Sequence, residues 1–499
     1  MIFTSYSFIL FLLIVFLLYY SLPKRFQWMI LLIASYVFYA FAGLKFLIYI
    51  LITTISTYYI SYRLNKLNQE QATYLKENKK SLSRKERKDY KEKIKRRAWK
   101  LLVLCLVLNF GILAVLKYTD FMISNINSVF GLFAMNQELS FFNFALPLGI
   151  SFYTFQSMGY LIDIYRNKYP YEKNIFKLGL FISFFPQLIQ GPISRFDDLK
   201  ETMFKEHSFD THQITFGLQR ILWGYFKKVV IADRLLTGVT TIVGSPNEYQ
   251  GVYVLLGMFF YAIQLYADFT GGIDITIGIA EIFGIKIKEN FIRPYFSKSI
   301  TEYWRRWHIT LGTWFKEYMF YPISVSQPML RFSKTSRKYL GDHVGKRLPV
   351  YISTIIVWFT TGIWHGAAWN FIVWGLMNCF VILVSQELQP LYQKFHNRFH
   401  IKHTFLYRLF EITRTFWLMS FIRILDCYRD VGTTFRMYKS VFTINNYNEL
   451  FRGGLLKVGL SSSDYIILLP AVLFVLYVSL LQRSGSVRAK IGEKPAPIG

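Results

Sequence analysis

Two histidines stand in tryptophan-rich, apolar stretches of the chain: His308 in Trp304-Arg305-Arg306-Trp307-His308, and His365 in Gly362-Ile363-Trp364-His365-Gly366. Imidazole is the side chain that gains or loses a proton near neutral pH without special tuning. An ionisable group within a bilayer-spanning segment is costly, and its presence points to function. The chemistry of the chain is therefore expected between these two imidazoles. Ser297-Lys298-Ser299 precedes a predicted helix capped near Ser299 or Thr301, with Glu302 in its first turn. On that helix Trp304 and His308 are four apart and share a face, with Arg305 about 100° around. An aromatic wall beside an imidazole keeps it neutral, as a general base requires. An interfacial helix with snorkelling Arg305 and Arg306, and His308 as a spacer, accounts for the stretch equally well. At His365 the flanking Gly362 and Gly366 leave room for another backbone or a ligand to approach.

Asp268 and Asp274, six apart in an apolar region, are a third candidate. They could orient an imidazole or bind a polar substrate, or pair structurally with Arg293 or Arg305, which is the favoured reading. His396, His400 and His403 lie close together, but Arg398 and Lys402 dilute the group and it reads as a solvated loop, so no metal is expected. Cys105, Cys379 and Cys427 are scattered in apolar segments and read as small buried hydrophobes. Walker, GxSxG and HExxH motifs are absent.

The elements that must position these groups are membrane helices. Of 499 residues, 53% are hydrophobic and 19% aromatic. Apolar runs such as Phe8 to Tyr20, Trp28 to Ile60, Leu101 to Leu116, Val350 to Trp358 and Tyr465 to Leu481 approach or exceed a bilayer crossing. The expected fold is an all-α polytopic membrane protein with roughly 10–13 transmembrane or re-entrant helices. Gly and Pro interrupt many of them, as at Leu146-Pro147-Leu148-Gly149, Phe185-Pro186-Gln187 and Gly191-Pro192. Irregular backbone at membrane depth needs protein or a water-filled cavity to satisfy it, which suggests a central cavity.

The net charge of +28 does not signify nucleic acid, because it is concentrated in loops. Thirteen Lys/Arg against four Asp/Glu lie between Lys76 and Lys100, and Arg331 to Arg347 forms a second basic stretch. Such clusters stay cytoplasmic and favour anionic lipid heads. Lys24-Arg25 follow the first apolar run rather than precede it, so this run reads as an uncleaved helix with its N-terminus outside. Gly43 splits the run from Trp28 to Ile60 into a hairpin, and three crossings then place the basic loop inside. The polar tail after Gln482 carries Arg483, Arg488 and Lys490 and should also be cytoplasmic. The reading divides the chain into N-terminal helices (1–62), a basic cytoplasmic loop (63–100), a core (101–425), and a C-terminal helix with a cytoplasmic tail (426–499).

Several stretches resemble the membrane-bound O-acyltransferases, in particular the bacterial alginate O-acetylation type. They are Met1-Ile2-Phe3-Thr4-Ser5, the segment from Leu146 to Gln156 with Asp163-Ile164-Tyr165-Arg166, the segment from Phe185 to Arg195, and that from Lys227 to Asp233. The strongest are Asn290-Phe291-Ile292-Arg293-Pro294, Trp304 to Leu311 and Gly362 to Trp369. The matches are collinear over nearly the whole chain. The resemblance implies a multi-helix fold around a tunnel and transfer of an acyl group to a hydroxyl. The family's near-invariant histidine falls on His365. Its second active-site position, His in this subfamily and Asn in many eukaryotic members, falls on His308. Thr270 and Gly272 depart from the serine and tyrosine of many relatives, which puts details of donor or acceptor in question.

On this resemblance His365 and His308 are the expected catalytic pair, with Trp304, Arg305, Trp307, Trp364, Asp268 and Asp274 as substrate-binding candidates. The expected donor is acetyl-CoA or an acyl carrier protein thioester, with no bound cofactor. The acceptor is an extracytoplasmic polysaccharide or cell-wall glycan. Expected partners are the lipid bilayer, an extracytoplasmic acetyltransferase- or esterase-like protein and, by way of the basic surface, an acyl carrier protein. The expected location is the bacterial cell membrane. Teichoic-acid D-alanyl transfer is the alternative within the enzyme class; a polytopic transporter or lipid flippase is the alternative outside it.

Overall fold

The computed structural model describes residues 2–135 and 137–492, and every regular element among them is helical. Six helices are long and apolar enough to cross a bilayer: Leu44–Glu77, Arg84–Leu132, Val252–Ile282, Gln327–His365, Trp369–Glu387 and Ser462–Ser484. Tyr6–Ser21 and Ile175–Gln190 are shorter apolar helices. The chain forms two compact units, one of Met1–Gly217 with Ile279–Lys288, the other of Leu218–Gly278 with Glu289–Gly499.

In the first unit the predicted hairpin is present. Helices Gln27–Ala40 and Leu47–Glu77 flank Gly43, whose φ of 133° only glycine adopts freely. The basic stretch is mostly helix rather than loop. One helix runs on to Glu77 and the next begins at Arg84, capped by the reciprocal Ser83–Glu86 pair. Lys, Arg and Glu are strong helix formers, so charge density alone does not break the backbone. At 49 residues, Arg84–Leu132 is about 70 Å long and outreaches a bilayer core, leaving its basic end in water.

Side chains satisfy the broken backbone around Pro186. The Phe185 amide donates to Ser35 Oγ (3.1 Å), and Gln187 Nε2 donates to the Pro192 carbonyl (2.9 Å) and Ser194 Oγ (2.7 Å). The breakers of this segment thus reflect a polar core of protein groups.

The second unit carries both histidines. Helices Gln327–His365 and Trp369–Glu387 pack closely at glycine. A Cβ on Gly375 would lie 2.4 Å from the Trp358 carbonyl oxygen, and one on Gly362 would lie 2.5 Å from that of Phe371. Gly341, at φ 76°, kinks the long helix within its basic portion, before the apolar run to His365. Two buried ion-pair groups complete this unit. Asp274 takes Arg220 Nε (2.9 Å) and Lys227 Nζ (2.6 Å), while Arg423 pairs with Asp426 at 3.1 Å.

Candidate active site

The helix predicted to carry Trp304 and His308 on one face ends before His308. Ser299 caps it, its hydroxyl accepting from the Glu302 amide, as expected. It spans only Ile300–Arg306, and a second helix starts at Ile309. His308 is the corner between them, in the left-handed region at φ 47°, ψ 54°. A β-carbon-bearing residue held there costs about 1–3 kcal/mol, a strain that clusters at functional sites.

Asn290 holds the corner. Its backbone carbonyl accepts from the Ile309 amide (3.0 Å), and its Oδ1 accepts from the Thr310 amide (3.0 Å) and hydroxyl (2.9 Å). His308 Nδ1 faces the same Oδ1 at 3.3 Å. A backbone amide can only donate, so the atom facing it is the carboxamide oxygen and His308 Nδ1 must carry the proton. The lone pair of a neutral ring then lies on Nε2, which is buried without a hydrogen-bond partner among the described residues. Around the imidazole stand the rings of Phe269 (5.0 Å between centroids) and Trp364 (6.1 Å).

His365 ends its helix, and the chain turns extended at Gly366, where a Cβ would strike the Phe371 ring. Its imidazole contacts Trp364 at 5.0 Å and the fully buried Trp374 at 4.6 Å. Trp364 therefore touches both imidazoles. A cavity of about 450 Å³ is lined by His308 and His365 together, with Trp304, Trp307, Arg305 and Lys316. That volume suits a small substrate arm.

Of the residues singled out in sequence, Trp304, Arg305, Trp307, His308 and His365 line this cavity, and Trp364 adjoins both imidazoles without lining it. Asp268 and Asp274 are not in its lining. Asp268 pairs with Lys228 (2.6 Å) and Asp274 with Arg220 and Lys227, rather than with Arg293 or Arg305. The favoured structural role fits their positions; Lys227 and Lys228 lie on the π-helical segment Phe226–Ala232, and Arg220 on the helix before it. Sequence reasoning placed Asn290 in a matched stretch and Trp358 in an apolar run without giving either a site role, and missed Trp374 and Arg423. The rule that flagged Asp268, a charge in an apolar run, applies equally to Arg423 in Phe416 to Cys427.

A polytopic helical protein with two imidazoles and a tryptophan wall on one cavity fits transfer chemistry better than passage of a solute. Residues 166–427 match the membrane-bound O-acyltransferase family, and the chain belongs to that family. It is similar to the probable alginate O-acetylase AlgI of Pseudomonas aeruginosa, 33% identical over 78% of this chain and 66% of the relative. It is 31% identical to the peptidoglycan O-acetyltransferase of Helicobacter pylori over 74% of this chain and 66% of the relative. The teichoic acid D-alanyltransferase of Bacillus subtilis is 30% identical over 46% and 56%. The matched region thus spans about two thirds of the length of the two O-acetylating relatives.

Proposed function

We propose that this protein O-acetylates an extracytoplasmic polysaccharide or cell-wall glycan, drawing the acetyl group from a cytoplasmic thioester. The observation that carries this reading is the pair of imidazoles on a single cavity in a membrane-bound O-acyltransferase chain. The proton-free Nε2 of His308 accepts the acceptor hydroxyl's proton as its oxygen attacks the thioester carbonyl. A carbon–oxygen bond forms, the carbon–sulfur bond breaks, and the departing thiolate takes up the proton. His365 steadies the carbonyl oxygen as negative charge develops there. Arg305 and Lys316, on the same cavity, suit the anionic part of a donor, whether acetyl-CoA or an acyl carrier protein.

The protein is read as residing in a bacterial cell membrane with its N-terminus outside and its basic segments and C-terminus in the cytoplasm. A separate extracytoplasmic acetyltransferase- or esterase-like partner completes delivery to the polymer. The test is base-labile acetate on envelope glycans from cells expressing wild type, His308→Asn or His365→Asn at equal membrane levels. Loss in both variants supports the reading. Wild-type acetate in either removes that histidine from the mechanism, and labelled D-alanine instead of acetate would redirect the substrate to teichoic acid.

A further inference from the structure

One buried cation braces the tryptophan side of the cavity. Arg423, 6% exposed, sets its guanidinium carbon 4.9 Å from the Trp307 ring centre, 5.1 Å from that of Trp374 and 5.4 Å from that of Trp304. Trp304 is also held by hydrogen bonding: its indole Nε1 donates to Asn378 Oδ1 at 3.2 Å, and Asn378 Nδ2 donates to the Trp374 carbonyl at 2.9 Å. The Trp304 ring meets Trp358 at 5.0 Å and Trp374 at 5.7 Å, and Trp374 meets the His365 imidazole at 4.6 Å. Swinging Trp304, Trp307 or Trp374 aside would break its contact with the cation, and moving Trp304 would also leave a buried amide oxygen unpaired. Trp358 does not reach the cation but packs on two indoles that do, Trp304 at 5.0 Å and Trp374 at 6.2 Å, so the braced pair backs it.

A thioester carbonyl within reach of the imidazoles must send its acyl substituent along the adjoining surface. In the cavity that both imidazoles line, that surface includes the indoles of Trp304, Trp307 and Trp358. We propose that Trp304 and Trp358, braced through Arg423, form a gauge that limits the transferred acyl group to a short chain. Arg423 is a positioning residue in this scheme. The proposal rests on the acyl-transfer reading and adds what sets the donor's length.

The test uses the full-length protein in nanodiscs with acetyl-, butyryl- and hexanoyl-pantetheine, whose thioester arm is common to coenzyme A and carrier proteins. Alginate and peptidoglycan oligosaccharides serve as acceptors, with thiol release and product mass as readouts. A methylene in a tight apolar pocket shifts rates roughly 10- to 200-fold, so wild type should favour acetyl over butyryl at least tenfold. Trp358→Ala and Trp304→Phe should each narrow that ratio tenfold or more. Arg423→Met should narrow it too, whereas Arg423→Lys, which keeps a cation beside the indoles, should preserve it. The ratio is read within one preparation, so partial loss of folded protein lowers both rates and leaves it unmoved. A ratio within twofold of wild type in both tryptophan variants overturns the proposal, as does a wild type that uses both donors alike. Folded wild type that transfers none of the three acyl groups, with the soluble extracytoplasmic proteins of the same cells added back, refutes the underlying acyl-transfer reading instead.

Discussion

Asn290 decides the tautomer of His308. The Oδ1 that faces the imidazole Nδ1 at 3.3 Å also receives the Thr310 amide, so it is an oxygen and the ring proton sits on its side. Replacing Asn290 with Ala should free the ring to take either tautomer and loosen the corner. Transfer should fall roughly 10- to 100-fold, the size of effect seen when an orienting partner is removed. Rates per folded protein check this, and Asn290→Asp, which retains an acceptor oxygen, should recover most of the loss.

The two imidazoles should separate kinetically. Both asparagine variants should lose at least about 10²-fold in transfer, the scale of general acid–base assistance. His308→Asn should flatten the acidic limb of the pH–rate profile, while His365→Asn should lower the rate with the limb retained. An unchanged acidic limb in His308→Asn would contradict its role as the base.

Asp274 should matter for folding rather than for substrate. Its side chain lies between Arg220 and Lys227, whose own side chains are only 9% and 4% exposed. Asp274→Ala leaves the buried Lys227 with only the Thr270 hydroxyl, while Arg220 keeps its paired contact with Glu289, and a loss of about 3–5 kcal/mol is expected. Thermal inactivation in detergent reads the effect. Any molecules that remain folded should keep a wild-type KM for the donor.

The glycine contact between the His365 helix and its neighbour should not tolerate a methyl group. Gly375→Ala places a carbon against the Trp358 carbonyl, and the helices must part or strain by about 1–3 kcal/mol. Trp358 lines the cavity and His365 terminates the same helix, so activity should fall together with the melting temperature. A variant melting like wild type would show that the helices separate freely.

How far the sequence discloses this arrangement depends on the range of each interaction. Against the expected 10–13 helices, only six among the described residues are long and apolar enough to cross a bilayer. The apolar helices, the hairpin at Gly43 and the two histidine stretches are nonetheless local patterns of hydropathy and residue type, and they read directly. The break between Arg306 and Ile309 does not, because no Gly or Pro marks it and the apolar spacing runs on through Trp307. It is imposed by Asn290, 18 residues upstream of His308. The Arg423 brace is equally long-range: its three indoles come from two other helices and the connection after Arg306. The aspartates are legible as intramembrane charges, but their partners lie on the helix Thr211–Tyr225 and the π-helical segment after it, a proximity that residue spacing does not reveal.

The left-handed backbone at His308 restricts what evolution can place there. Among residues with a β-carbon, asparagine, aspartate and histidine enter that conformation most readily, while β-branched side chains are strongly disfavoured. The corner filters its occupants by main-chain torsion before any chemistry is considered. Histidine and asparagine, the two residues that the family resemblance implies at this position, both pass that filter. Replacement of one by the other would then leave the corner standing while exchanging an imidazole for an amide, so the scaffold can outlast a change of mechanism at this site.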